Sequence, residues 1–166
     1  MTGGYDPQRI FERLHEAGVQ HVIIGGWAVN AHGHRRFTGD VDICPNPRFE
    51  NLARLAVLLR DLNAQQLGLE DFDPAELPGD PTDPESLAEG GNFRTETELG
   101  ILDIMQWISG EDRELSYDEI AKEAVHDVAF GIPVTVCSLA ALMEMKRAAG
   151  RPKDLEDLAA LAALDT

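Results

Sequence analysis

Residues 40–44 read Asp-Val-Asp-Ile-Cys, and this alternation constrains the fold more than any other stretch of the chain. A strand sends successive side chains to opposite faces. Asp40 and Asp42 therefore share one face, and Val41 and Ile43 share the other. The apolar face has to lie against a core. The acidic face holds two carboxylates that repel each other unless cations bridge them, and paired oxygen ligands with substrate phosphates nearby are what Mg²⁺ prefers. Upstream, His21-Val22-Ile23-Ile24 reads as a short buried strand that runs into Gly25-Gly26 and a tight turn feeding a short helix over 25–33. Glycines at such a junction let the backbone approach a ligand closely, and a helix start offers unpaired N–H groups to an anion.

Composition narrows the class of protein. The 166 residues suffice for one domain with a real core, and 43 % apolar with 27 % charged residues is a globular balance. Thirty acidic residues against fourteen basic give a formal charge of −16, which argues against sequence-blind coating of nucleic acid. It leaves room for a small basic spot that grips one triphosphate. Cys44 and Cys137 lie in apolar strand-like runs and read as buried free thiols of a reducing compartment. The sequence contains no apolar run of about 18 residues and no basic-then-apolar leader pattern. The expectation is a cytoplasmic protein that makes no use of a membrane.

Along the chain, Asp6-Pro7 opens a first helix that Gly18 closes, with Ile10, Leu14 and Ala17 on one face. Asn46-Pro47 reads as the start of a second, with Phe49, Leu52, Ala53, Ala56 and Leu59 turned inward. Residues 70–91 hold eight acids, four prolines and no Lys or Arg, and read as an acidic, proline-rich surface loop inside the domain. Strands are expected over 92–98 and 101–107, joined at Gly100, and a hairpin over 124–137 around Gly131. Ser116 with Glu119 forms a possible capping box. Ser138 opens a C-terminal helical pair, 138–166, whose last helix puts Leu155, Leu158, Ala159 and Ala162 on one face. The whole, 1–166, reads as a single α+β domain: a small mixed β-sheet with flanking helices.

A third acid, Asp103, stands alone in the apolar run Ile101-Leu102-Asp103-Ile104-Met105. Its strand, laid beside the Asp40/Asp42 strand, completes a carboxylate triad. Such a triad can hold two metals for an in-line phosphoryl displacement, and Asp103 could also take a proton from an attacking hydroxyl. Gly-Gly, thirteen intervening residues, Asp-Val-Asp-Ile and a later Asp on an apolar strand together resemble the nucleotidyltransferase superfamily with the DNA-polymerase-β-type catalytic core. The resemblance implies a nucleotidyltransferase-like fold with Gly25 and Gly26 holding a nucleoside triphosphate (NTP). It implies Asp40, Asp42 and Asp103 as the catalytic Mg²⁺ ligands. Arg35, Arg36 and Thr38, just before the metal strand, read either as phosphate contacts or as a basic surface turn. Trp27 reads either as a base-stacking platform or as core, and His32 and His34 as metal ligand or proton carrier or, more simply, surface residues.

Residues 138–158 resemble, more loosely, the tail of the small bacterial AbiEii-type nucleotidyltransferases, and the Gly-Gly-Trp opening resembles the lincosamide-type antibiotic transferases. The match is a Lys in one helix and Arg-x-Lys-Asp opening the next. It implies nucleotide binding or site support by Lys146, Arg151, Lys153 and Asp154. Cations decorating a helix C-terminus are the alternative reading. The implied activity is Mg²⁺-dependent transfer of a nucleoside monophosphate from an NTP to an acceptor hydroxyl or phosphate. The acceptor would be RNA or protein in a toxin–antitoxin or phage-defence setting, or a small hydroxylated antibiotic. An antitoxin or a second copy could complete the site. The rival is an inactive nucleotidyltransferase-like module that binds a nucleotide or a partner without turnover.

Overall fold

The computed structural model describes residues 4–164. The first three residues and the last two, ends of the expected 1–166 domain and 138–166 helical pair, lie outside it. Helix α1 (Pro7–Glu16) starts where Asp6 accepts a hydrogen bond from the Arg9 amide, and it buries Ile10, Phe11 and Leu14. It is followed by β1 (His21–Ile24), α2 (Gly25–Ala31), β2 (Asp40–Pro45), α3 (Phe49–Asp61) and the two-residue β3 (Gln65–Gln66). Two 3-10 turns, Leu69–Asp71 and Pro74–Glu76, lead to α4 (Pro84–Ala88). Then come β4 (Asn92–Thr97), β5 (Gly100–Met105), β6 (Ile108–Ser109), β7 (Glu114–Leu115) and α5 (Tyr117–Lys122). The chain continues through β8 (Val125–Ala129), β9 (Ile132–Val136), α6 (Leu139–Ala149) and α7 (Pro152–Leu164).

Seven strands form one sheet in the order β3-β4-β5-β2-β1-β9-β8, and β6 pairs with β7 separately. The pairs β1–β2, β3–β4, β4–β5 and β8–β9 are antiparallel, while β2–β5 and β1–β9 are parallel. The mixed α/β architecture with flanking helices agrees with the sequence. Val41, Ile43, Leu102 and Ile104, on the face opposite the carboxylates, are fully buried. Helix α1 packs on β2, β9 and α3, while α2 packs on β1 and β2 and against α6. Both cysteines are free and buried, and burial pushes each thiol up to about 12.

Four local expectations need correction. No turn separates β1 from the next helix; α2 begins at Gly25 itself, which takes φ +68°. Asn46-Pro47 does not cap α3: Asn46 accepts from the Arg48 amide in a turn, and the helix starts at Phe49 without a side-chain cap. The acidic stretch 70–91 is not all loop. Asp83 accepts from the Glu85 amide and Pro84 opens α4, whose Leu87 is fully buried, and α4 packs on α3. The inward face of α7 is Asp154, Asp157 and Leu161, while Leu155 is exposed. The apolar spacing of 155, 158, 159 and 162 misleads because α7 docks on the buried Lys146 and the partly buried Arg36, and charge pairing fixes its rotation.

Candidate active site

Strand register builds the acidic centre. On the parallel pair β2–β5, Asp42 is the partner of Asp103, and Asp40 lies two residues earlier on the same face. One carboxylate oxygen from each of the three acids lies within 4.8 Å of the others. Burial, then the charge of Asp40 and a hydrogen bond with Asp103, push the Asp42 carboxyl up to about 8. Burial also raises Asp103, against the neighbouring Arg94 guanidinium that lowers it. Arg94, on β4, is the register partner of Asp103 on the other side. Its Nη1 donates to Asp103 Oδ2 at 2.7 Å and to Asp40 Oδ2 at 3.1 Å.

The two glycines that open α2 press against this centre. A Cβ on Gly25 would collide with the Asp42 carboxylate, which lies 2.8 Å away at its Cγ. A Cβ on Gly26 would stand 2.8 Å from the Cβ of Thr38. Only glycine lets β1, α2 and the 32–39 segment close around the acids. Thr38 is buried and donates from Oγ1 to the Asp40 carbonyl at 3.2 Å.

A cleft of about 860 Å³ opens over the acids. Gly25, Gly26, Arg36, Thr38, Asp40, Asp42, Arg94 and Asp103 line it. Lys146 of α6, Arg151 between the two helices, and Lys153 and Asp154 of α7 line it as well. The sequence-predicted site residues thus converge, with one exception: Arg35 is exposed and is not part of the cleft wall.

The cations differ in how far they are engaged. Lys146 is buried, with Nζ 3.1 Å from Asp154 Oδ1 and 3.0 Å from Asp157 Oδ2. Arg36 forms a two-pronged pair with Asp157, Nε to Oδ1 at 2.8 Å and Nη2 to Oδ2 at 2.9 Å. Burial raises both carboxyls, but hydrogen bonds from Arg151 and Lys146 hold Asp154 below the usual range, and those from Arg36 and Lys146 do the same for Asp157. Arg151 Nε donates to Asp154 Oδ2 at 2.7 Å, but its side chain stays largely exposed. Among the described residues that line the cleft, Lys153 is the cation without a carboxylate partner. Trp27 is a packing residue: it stacks edge-on against Phe11 and Phe130, and its Nε1 donates to the Tyr5 hydroxyl. The His32 ring bonds the Cys137 carbonyl through Nε2, and His34 Nε2 lies 3.9 Å from Asp157, so neither is among the acids of the centre.

No known sequence family and no curated protein matches this sequence. Solved structures do. The antibiotic-resistance factor ANT(2″)-Ia, crystallised with adenylyl-2″-tobramycin, superposes at TM-score 0.59 and 18 % identity over 95 % of this chain and 86 % of that one. The lincosamide antibiotic adenylyltransferase LnuA, crystallised with lincomycin, superposes at TM-score 0.63 and 13 % identity over 98 % and 99 %. This chain has the nucleotidyltransferase fold. At these identities the shared property is the fold.

Within the nucleotidyltransferase fold the acidic centre fits a divalent cation on its own chemistry. Asp42 Oδ1 is buried and has no hydrogen-bond partner, so one hard oxygen ligand is desolvated and left unused. Asp40 and Asp103 supply further oxygens within reach of the same ion. Sequence reading missed Arg94. Its signal was countable: the β4–β5 hairpin pairs Thr97 with Gly100, and stepping three residues along each strand places Arg94 opposite Asp103.

Proposed function

We propose that this chain is a nucleotidyltransferase. It transfers a nucleoside monophosphate from an NTP to a hydroxyl of a small acceptor and releases pyrophosphate. The observation that carries this reading is the three-carboxylate centre in a cleft lined by the two glycines that open α2 and by cations. Asp40, Asp42 and Asp103 would hold Mg²⁺, which when bound neutralises phosphate charge and polarises the transferred phosphoryl group. Gly25 and Gly26 let the triphosphate approach the backbone at the start of α2. Lys153 of α7 and Arg151 just before it face its outer phosphates, while Arg36, paired to Asp157, and Lys146, paired to Asp154 and Asp157, hold that wall in place. Thr38 holds the segment leading into β2 by its bond to the Asp40 carbonyl.

The chemistry is an in-line displacement. The acceptor oxygen forms a bond to the α-phosphorus as the bond from that phosphorus to the bridging oxygen breaks, and pyrophosphate leaves with the electron pair. Asp103, beside Asp42 in the centre, accepts the acceptor proton. The acceptor side of the cleft combines apolar Leu67, Phe72, Met105, Ile108 and Met145 with Asp71. With a net charge of −16, that wall favours a small, cationic, hydroxylated acceptor over RNA. Acceptors of small-molecule antibiotic type in the two fold neighbours support the same class.

The test is calorimetric titration of the four ribonucleoside triphosphates with and without Mg²⁺, followed by transfer assays with hydroxylated amines. The expected result is Mg²⁺-dependent binding that Asp42→Ala loses while it stays folded. Asp103→Asn is expected to slow transfer by orders of magnitude yet keep nucleotide binding. Nucleotide binding that ignores Mg²⁺, or transfer that survives Asp42→Ala, overturns the reading.

A further inference from the structure

Arg94 holds a position that the proposed reaction does not explain. It is the register partner of Asp103, and one nitrogen of its guanidinium bridges Asp103 and Asp40. Those are two of the three acids whose oxygens converge within 4.8 Å. A positive charge already lies where a divalent cation would need the same oxygens. The side chain is half exposed, and the bonds to the two acids use Nη1 alone. A guanidinium presents five donors in a rigid fork, so the rest of this one is free to take another anion.

We propose that Arg94 is a placeholder cation: it occupies the metal position of the free protein and moves to the phosphates of the arriving nucleotide, so that metal and nucleotide load together. The proposal rests on the metal-assisted reading above. Three physical points support it. Two unbridged carboxylates on one strand face, with Asp103 beside them, repel strongly, and a mobile cation relieves that repulsion without closing the cleft. The third acid, Asp42, has no bond to the arginine and keeps a buried Oδ1 without a hydrogen-bond partner, so the arginine covers only part of the ligand set. Finally, Arg94 is anchored on β4, beyond β5, whereas Gly25 and Gly26 follow β1, on the far side of β2. Once released from the acids, its free end therefore reaches into the cleft from the side opposite these glycines. A triphosphate offers it anionic oxygens in exchange for the carboxylates given up. Metal alone must displace a hydrogen-bonded cation and receives nothing in return. Metal with nucleotide does not meet that penalty, so the two ligands bind cooperatively and reciprocally.

The experiment measures Mn²⁺ binding to the full chain by electron paramagnetic resonance, first without nucleotide and then with a non-hydrolysable ATP analogue. The expected result is weak binding of free Mn²⁺ to the wild type and binding about tenfold tighter in Arg94→Gln. The enhancement of Mn²⁺ affinity by the nucleotide should be large in the wild type and much smaller in Arg94→Gln. Arg94→Lys keeps a cation at the site and should restore weak binding of free Mn²⁺, which a merely structural arginine would not predict. Equal or weaker binding of free Mn²⁺ to Arg94→Gln overturns the placeholder role while leaving the metal-assisted reading intact. Absence of Mn²⁺ binding in every variant, with or without nucleotide, overturns both.

Discussion

Asp42 and Asp103 are side-by-side partners on two parallel strands, and one oxygen of the Asp42 carboxylate is buried without any hydrogen bond. Two acids cannot both ionise cheaply in that position. The proton shared between them makes the metal-free centre sensitive to pH in a way that a surface acid would not be.

The first prediction follows from that shared proton. The folded Asp42 carboxyl titrates near 8, and an unfolded Asp near about 3.9. The native state therefore binds more protons, and stability falls as pH rises. The contribution is complete below about 4 and is lost as pH passes through about 8. In a metal chelator, the wild type should melt at a lower temperature at pH 9 than at pH 6. Asp42→Asn should flatten that decline and gain about 1–3 kcal/mol at pH 9, because no charge is then buried unpaired. An identical pH profile for wild type and variant would mean that burial of this carboxylate carries no penalty.

Gly25→Ala should disturb the centre from behind. Gly25 has φ +68°, and an added Cβ would overlap the Asp42 carboxylate. The positive φ alone costs about 1 kcal/mol or more for a non-glycine residue, and the overlap forces Asp42 aside. The variant should melt lower and lose Mg²⁺-dependent nucleotide binding by at least about tenfold. Gly131→Ala is the control: its φ is +76°, but nothing lies near its Cβ, so it should lose stability without losing nucleotide binding.

Asp157→Ala addresses the charge network that docks α7. Asp157 is buried and pairs with Arg36 on one side and Lys146 on the other. Removing this acid leaves Arg36 without its carboxylate partner and Lys146 with Asp154 alone. Loss of about 3–5 kcal/mol is expected, measured by urea unfolding. Asp157→Asn retains hydrogen bonding without the charge and should lie between wild type and Ala. A loss below about 1 kcal/mol would mean that apolar contacts of α7, chiefly Leu161, carry the docking instead.

Much of the centre was legible because it depends on spacing of two. Asp40 and Asp42 had to share a face, and the isolated charge of Asp103 in an apolar run marked a strand that needed a partner for it. The adjacency of β2 and β5 then follows from which arrangement brings the acids together, while their parallel direction does not. What stayed hidden depends on contacts between elements distant in sequence. The inward face of α7 is charged because Lys146 and Arg36 meet it, and no periodicity within α7 reveals partners on α6 and in the 32–39 segment. Helix α4 was hidden differently. Four prolines argue against a long helix, yet Asp83-Pro84 is a valid start for one of five residues, held by the single buried Leu87.

Lys153 gives the last prediction. It lies in the first turn of α7, where the helix dipole disfavours a cation, and it has no carboxylate partner. A lysine in that position contributes nothing to folding, so its use must be sought in the cleft it lines. Lys153→Ala should leave the melting temperature unchanged or slightly raised, within about 0.5 kcal/mol. It should weaken binding of an NTP with Mg²⁺ by about three- to tenfold at low salt, where an exposed charge acts over the longest range. The difference from wild type should shrink as salt rises from about 0.05 to about 0.5 M, because screening removes the attraction. Arg35→Ala, an exposed cation outside the cleft, serves as the comparison and should bind the nucleotide like wild type. If both variants weaken binding equally, the effect comes from the net charge of the chain and not from a phosphate contact at α7.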